Sequence, residues 1–295
     1  MRVVTLLPAA TEIVAALGAV DQLVGISHEC DYPDAVRELP RVTATSIDVE
    51  QPGALIDAEV SRRSHAGEPV IGIDVEHLRM LAPDLIITQN LCEVCAVADG
   101  QVHRLATAVQ TPPRVVSLGA RDLEGIWTDV RTVGSALDRE SKAEELVAGL
   151  ESRIAAIRAR TSGRTSRVLC IEWLDPLYIA GHWIPELVSA AGGKDVGALP
   201  GSHSARANWS ELPKLLPDQI IVMLCGFGIE RAQAELDALQ DSTALELMQR
   251  VPTWIIDGNA FTSRPGPRVV DAAELIHSAI AGTPSVNLAR WRPPC

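Results

Sequence analysis

The run Leu81-Ala82-Pro83-Asp84-Leu85-Ile86-Ile87 is echoed much later by Leu216-Pro217-Asp218-Gln219-Ile220-Ile221-Val222. A second echo links Arg2-Val3-Val4, Arg114-Val115-Val116 and Arg167-Val168-Leu169. In each case a helix end, a Pro-Asp turn or a basic residue leads into a short apolar run. Such runs, alternating with helical segments, are what the buried strands of parallel sheets require. The chain is therefore expected to be α/β, built as two similar lobes.

Working outward, strands are expected at 2–6, 22–26, 84–88 and 114–118, then at 167–173, 218–223 and 253–256. Helices are expected at 9–18, 54–64, 74–82 and 98–108, then near 183–192, 209–215, 229–249 and 265–282. Between the two sets, Leu123, Ile126, Val130, Val133 and Leu137 recur at helical spacing, and so do Leu146, Leu150, Ile154 and Ile157. Ser141-Lys142-Ala143-Glu144 reads as a capping box starting the second of these helices. At about 20 residues that helix is about 30 Å long, a stiff connector that restricts hinge closure. The expected division is an N-terminal α/β lobe over 1–120, bridging helices over 121–163 and a C-terminal α/β lobe over 164–295.

A 47% hydrophobic content suits a packed core, and a net charge of −12 with no Lys/Arg-rich run argues against nucleic acid as a partner. MRVVTLLPAATEIVAALG reads as a first strand and helix rather than a secretory signal. No window offers the roughly 18 apolar residues that insertion into a membrane requires. A cytoplasmic location is the expectation. P-loop, nucleophile-elbow and dinucleotide patterns are absent from the sequence.

In open parallel sheets, ligands sit beyond the carboxyl ends of the strands. Ser27-His28-Glu29-Cys30, Gln89 with Leu91-Cys92-Glu93-Val94-Cys95-Ala96-Val97, Trp173, His182-Trp183, Cys225, Phe261 and Arg264 all follow expected strands and are expected to face one cleft between the lobes. Cys170 reads as a small core residue and Cys295 is terminal.

Three readings of the remaining thiols stay open. Cys30, Cys92, Cys95 and Cys225 together supply the four ligands of a zinc or iron site, or of an iron-sulfur cluster. They also suit a role as plain ligand-contacting or packing residues. Cys92 and Cys95 alone form a redox pair, a reading that Glu93 opposes by disfavouring the thiolate. His28 reads as a capping donor, as a ligand to a metal or to a corrinoid cobalt, or as a base working with Glu29. Trp173, His182 and Trp183 offer flat faces to a ring-bearing ligand, and Arg264 offers its guanidinium to an anionic group. Ser27, Gln89, Glu93 and Phe261 complete the expected ligand-contacting set.

Leu6-Leu7-Pro8-Ala9-Ala10-Thr11-Glu12, Ser27-His28-Glu29-Cys30-Asp31-Tyr32-Pro33, Ala82-Pro83-Asp84-Leu85-Ile86, the helical bridge and Pro265-Gly266-Pro267-Arg268 together resemble the helical-backbone (class III) substrate-binding proteins of ABC importers. The branch it most resembles is the cobalamin-binding group, which includes proteins of iron-siderophore and haem uptake. The resemblance runs from residue 2 to about 282. It implies two Rossmann-like lobes joined by a long bridging α-helix, with the ligand in the cleft between them.

The chain departs from exported members in three ways. It shows no leader. Where those members carry an acid on each lobe for the permease, it has Asp99 and then Thr262 or Ser263, which weighs against permease docking. The pocket aromatic of the second lobe falls near Ala260, and a Cys-containing loop replaces the aromatic one at 89–95. HECDYP, LCEVCAV, EWLDPLYIAGHW, CGFGIER and DGNAFTSRPGPR resemble a cytoplasmic, leaderless subgroup. The expected function is a cytoplasmic binding protein for a small metal-containing or ring-bearing molecule such as cobalamin. The alternative is a metal- or iron-sulfur-dependent enzyme on the same scaffold.

Overall fold

The computed structural model describes residues 1–90, 102, 112–161 and 165–292 of the chain. Two compact units make it up: Met1–Gln51 with Leu55–Ala120 and Glu124–Gly149, and Pro52–Ala54 with Arg121–Leu123 and Leu150–Cys295.

The first unit is built on a four-stranded sheet. β1 (Val3–Thr5), β2 (Leu23–Gly25), β5 (Leu85–Gln89) and β6 (Arg114–Leu118) lie in the order β2-β1-β5-β6, all parallel. Val3, Val4, Leu85, Ile86 and Ile87 are fully buried, as strands covered on both faces must be. β3 (Thr43–Thr45) and β4 (Ile71–Ile73) form a separate antiparallel pair that the periodicity did not predict. Val4, Leu6, Val42, Leu78, Ile86 and Val102 close one core cluster; each fully buried aliphatic side chain is worth roughly 1.5–3 kcal/mol.

The helices that follow the chain through this unit are α1 (Pro8–Ala16), α2 (Gly53–Ala66), α3 (Val75–Leu81), α4 (Leu123–Ala136) and α5 (Glu140–Arg160); the first residues of α2 and α4, and α5 from Leu150 on, belong to the second unit. α1 starts with Pro at its first position, where no amide hydrogen is needed. Asp74 caps α3 by accepting from His77 N. The expected capping box is corrected: α5 already begins at Glu140, so Ser141 lies inside its first turn, and Glu144 is turned to Arg131 at 3.0 Å. The helix expected at 98–108 lies outside the described residues except for Val102, which is buried.

The second unit has a larger mixed sheet in the order β10-β8-β7-β11-β12-β13, with β9 also on β7. β7 (Ser166–Leu174), β11 (Gln219–Val222) and β12 (Thr253–Ile256) are parallel, and β9 (Gly193–Asp195) runs parallel to β7. β8 (Leu177–Ile179), β10 (Ala205–Arg206) and β13 (Leu288–Trp291) add antiparallel edges. α6 (Ile184–Ala190), α7 (Ile229–Asp237), α8 (Ser242–Arg250) and α9 (Val269–Ala281) accompany it.

Three expected helices differ in detail. The one over 229–249 is two, because Asp241 leaves the helical conformation and caps α8 through Ala244 N. Pro213 lacks an amide hydrogen, and 209–215 is a 3-10 helix. Pro265 and Pro267 delay α9 to Val269.

Both sheets start in the same way. Arg2 N donates to Asp84 Oδ2 at 2.6 Å and Arg2 Nε to Leu81 O at 2.8 Å, while Asp84 N returns a bond to Arg2 O at 2.8 Å. Arg167 N donates to Asp218 Oδ2 at 2.9 Å and Arg167 Nε to Leu216 O at 2.8 Å, while Asp218 N returns a bond to Arg167 O at 2.8 Å. Ala82 and Leu216 both turn the chain with positive φ, at 39° and 45°. The Pro-Asp echo is thus a repeated structural clasp that seats each pair of central strands.

Candidate functional site

The carboxyl end of β2 leads into Ser27-His28-Glu29-Cys30, and this loop is tied down by β3 and Arg41. Thr43 Oγ1 accepts from His28 N at 2.9 Å, meets His28 Nδ1 at 2.7 Å and donates to Ser27 Oγ at 3.1 Å. Glu29 N reaches Ser27 Oγ at 3.4 Å, and the Glu29 side chain is exposed. Arg41 Nη1 donates to Ser27 O at 3.0 Å and also to Cys30 O. His28 is half-buried, and burial first, then the charge of Arg41, lower the pKa of its imidazole below the ordinary value.

Cys30 is buried, its Sγ lying 3.0 Å from Thr11 Oγ1, which in turn is 2.6 Å from Thr5 Oγ1. This thiol belongs to a polar thread between α1 and β1. Gln89 ends β5 in a buried position, and Asn90 N bonds Leu118 O beside it. Beyond β6, Gly119 N and Ala120 N donate to the Asp129 carboxylate, whose burial outweighs those bonds and pushes its pKa up to about 6. Cys92, Glu93 and Cys95 lie outside the described residues.

In the second unit the carboxyl ends of β7 and β11 bring three side chains together. The rings of Trp173 and Phe227 lie 5.2 Å apart, tilted by 47°. The Arg231 guanidinium sits 4.8 Å from the Phe227 centroid and bonds Glu235 at 3.3 Å. Glu235 also accepts from Gly53 N at 3.1 Å. Cys225 is a half-buried free thiol whose amide bonds Glu172 O.

His182 does not stand beyond β7. The β7–β8 hairpin turns the chain back, so Ile179 pairs with Ile171 and Ala180 N bonds Cys170 O. His182 adopts a φ of 53°, unusual for a side chain with Cβ, and is pinned to a loop by Ser202 O at 2.6 Å and Gly201 N at 2.9 Å. Only glycine fits at position 181, because a Cβ there would come 2.5 Å from Ser202 O. The His182 ring faces the edge of His203 at 5.4 Å; burial first, then His203 and Arg121, lower its pKa.

Trp183 is buried with Nε1 donating to Thr262 O at 3.2 Å, and so closes over the core. Phe261 lies on the π-type turn Gly258–Thr262, under the Arg268 guanidinium at 5.3 Å. It also walls a cavity of about 310 Å³ together with Asp271, Glu274 and Ser278 of α9. Arg264 is 4% exposed and donates to Asn259 Oδ1 at 2.9 Å, which ties down its own loop.

Among the described residues, no group of three or more His, Cys, Asp or Glu side chains is placed to hold a metal ion. The model of the family described as "Periplasmic binding protein" matches residues 3–254. This chain belongs to that family. The vitamin B12-binding protein of Pectobacterium carotovorum is 22% identical over 285 residues, covering 95% of this chain and 88% of the relative. The cobalamin-binding protein of Halobacterium salinarum is 27% identical over 291 residues, with 96% and 70% covered. The crystal structure of a periplasmic haem-binding protein from Pseudomonas aeruginosa aligns with a TM-score of 0.72 at 19% identity, covering 99% of both chains, and shows the shared fold. The α/β class III fold expected from the resemblance is the fold of this protein.

Within this binding protein, sequence reading missed Phe227, Arg231, Thr43 and Arg41. Phe227 sits between Gly226 and Gly228, where no periodicity singles it out. Thr43 and Arg41 reach the His28 loop from 14 to 15 residues away, so only the fold reveals them. Chemically, the group offers one partly exposed indole, Trp173, backed by the buried Phe227 ring and bordered by Arg231, whose charge is shared with Glu235.

Proposed function

We propose that this chain is a substrate-binding protein whose ligand is a metal-containing tetrapyrrole of the corrinoid or haem kind. The observation that carries the proposal is the Trp173–Phe227–Arg231 group at the carboxyl ends of β7 and β11, where parallel α/β sheets place their ligands. The partly exposed Trp173 indole, backed by the buried Phe227 ring, supplies contact area with few rotors to freeze. Family membership and the vitamin B12, cobalamin and haem named for similar proteins support the same class.

The test is calorimetric titration of the purified protein with cyanocobalamin and, separately, haemin. One of them is expected to bind with 1:1 stoichiometry at micromolar affinity or better. Trp173→Ala is expected to weaken that binding by about tenfold or more, as loss of an aromatic anchor does. Absence of binding to both ligands overturns the proposal.

The same reading has the protein act in the cytoplasm and without a permease. A chain of 295 residues needs no disulfide staples to hold its core, which suits a reducing compartment, and Thr262 and Ser263 fall where the resemblance puts a second docking acid. Cell fractionation followed by immunodetection checks the location; recovery with the periplasmic or membrane fraction would refute it.

A further inference from the structure

Gly53 is the first residue of α2, it is buried, and its contacts place it in the second unit. Its amide donates to both oxygens of Glu235, at 3.2 Å and 3.1 Å. Its φ lies outside the left-handed region, so the backbone here does not call for glycine. The limit is space: a Cβ would stand 3.3 Å from Cζ2 and 3.5 Å from Cε2 of Trp173, and 3.3 Å from Glu235 Oε2. Residue 53 therefore lies against the indole.

The indole is held elsewhere as well. Its Nε1 donates to Asp175 O at 3.1 Å, and the Phe227 ring lies 5.2 Å away beneath the Arg231 guanidinium. Arg231 in turn bonds Glu235 at 3.3 Å. Gly53, Glu235, Arg231, Phe227 and Trp173 thus form a closed ring of contacts within the second unit.

We infer that Gly53 and Glu235 are positioning residues for the ligand, fixing the Trp173 indole in its binding orientation before any ligand arrives. This deepens the proposed function and rests on it. An aromatic platform that has to be immobilised during binding costs affinity, and holding it beforehand removes that cost. Glu235 acts through Gly53: its carboxylate satisfies an amide that a helix start leaves without an intrahelical acceptor, and so seats the residue that touches the ring. A Cβ at position 53 meets two groups that cannot withdraw freely, because Asp175 and Phe227 hold the indole and Arg231 holds the carboxylate.

The experiment joins calorimetric titration with cyanocobalamin and with haemin to thermal unfolding and to fluorine NMR of fluorotryptophan-labelled protein, in which Trp173→Phe identifies the Trp173 resonance. Gly→Ala at a position with an ordinary φ normally raises stability by restricting the unfolded chain. Gly53→Ala is therefore expected to keep or raise the thermal midpoint, while the Trp173 resonance moves and affinity falls about threefold to tenfold. Glu235→Ala is expected to move the same resonance and to lose affinity by a similar factor. Glu235→Gln, which keeps an acceptor for the Gly53 amide, is expected to restore most of it.

Wild-type affinity in Gly53→Ala, or an unmoved Trp173 resonance, overturns the inference and leaves the binding function standing. So does a loss of affinity that comes with a matching fall in the thermal midpoint, the mark of a merely structural residue. Absence of binding to both macrocycles overturns the proposed function and, with it, the role given to the two residues.

Discussion

At the amino ends of their sheets the two units are held by one device: Arg2 with Asp84 in the first, Arg167 with Asp218 in the second, each beside a left-handed residue. At the carboxyl ends they diverge. The first unit sends β1 straight into α1, and the loop after β2 carries a hydrogen-bonded histidine. The second turns β7 back through a hairpin and gathers Trp173, Phe227 and Arg231. A strand start has only to end a helix and enter a sheet, so one solution serves twice. A strand end is where parallel sheets place their ligands, and there the two units are built differently.

That contrast is open to attack in order of expected effect. Gly258 follows β12, and a Cβ there would run into the backbone carbonyl of Leu224, which cannot step aside; Gly119 follows β6, and its Cβ would meet only the Asn90 side chain at 2.6 Å. Gly258→Ala is expected to cost about 3 kcal/mol or more, and Gly119→Ala less than about 1 kcal/mol, in urea unfolding. Equal costs would show that the two strand ends are not built differently.

Each unit also buries one carboxylate against loop amides. Asp129 accepts from Gly119 and Ala120, and Asp195 from Gly197 and Ala198; burial raises both to about 6. For an acid raised on folding, the native state holds the extra proton. The contribution is therefore fully present below about pH 4 and is lost as pH rises through about 6. Relative to the wild type, Asp129→Asn and Asp195→Asn are each expected to gain stability on going from pH 4 to pH 7.5, by on the order of 1–3 kcal/mol. A difference that does not change with pH would remove the carboxylates as its source.

The clasps should give the smallest effect. Asp218 is half-buried and Asp84 exposed, so Asp218→Ala is expected to cost about 1.5 kcal/mol and Asp84→Ala about 0.5 kcal/mol. Thermal midpoints of the two variants measure this, and a reversed order would break the comparison.

The clasps and central strands were legible in the sequence because a doubly covered strand must be an unbroken apolar run, and Arg, Pro and Asp punctuate it. The short strands β3, β4, β8, β9, β10 and β13 have two to four residues, too few for alternation to register. Asp241 and Pro213 were visible, but their consequences emerged only in the helices they shape. At the site, Ser27 and His28 were placed at a strand end by the same parallel-sheet logic. His182 was not, because nothing in Asp175-Pro176 announced how far back its hairpin would carry the chain. Thr11 Oγ1 lies 3.0 Å from the Cys30 sulfur, a contact across 19 residues that no spacing in the sequence announces.

Leu216 sits 70% exposed in a backbone conformation that favours glycine, at the position that Ala82 occupies in the other unit. Neither side chain gains much there, and both strain the backbone. The fold thus keeps two matched points at which glycine or asparagine would relax the turn. Such slack leaves room for the ligand-facing loops to drift in sequence while the scaffold stays folded.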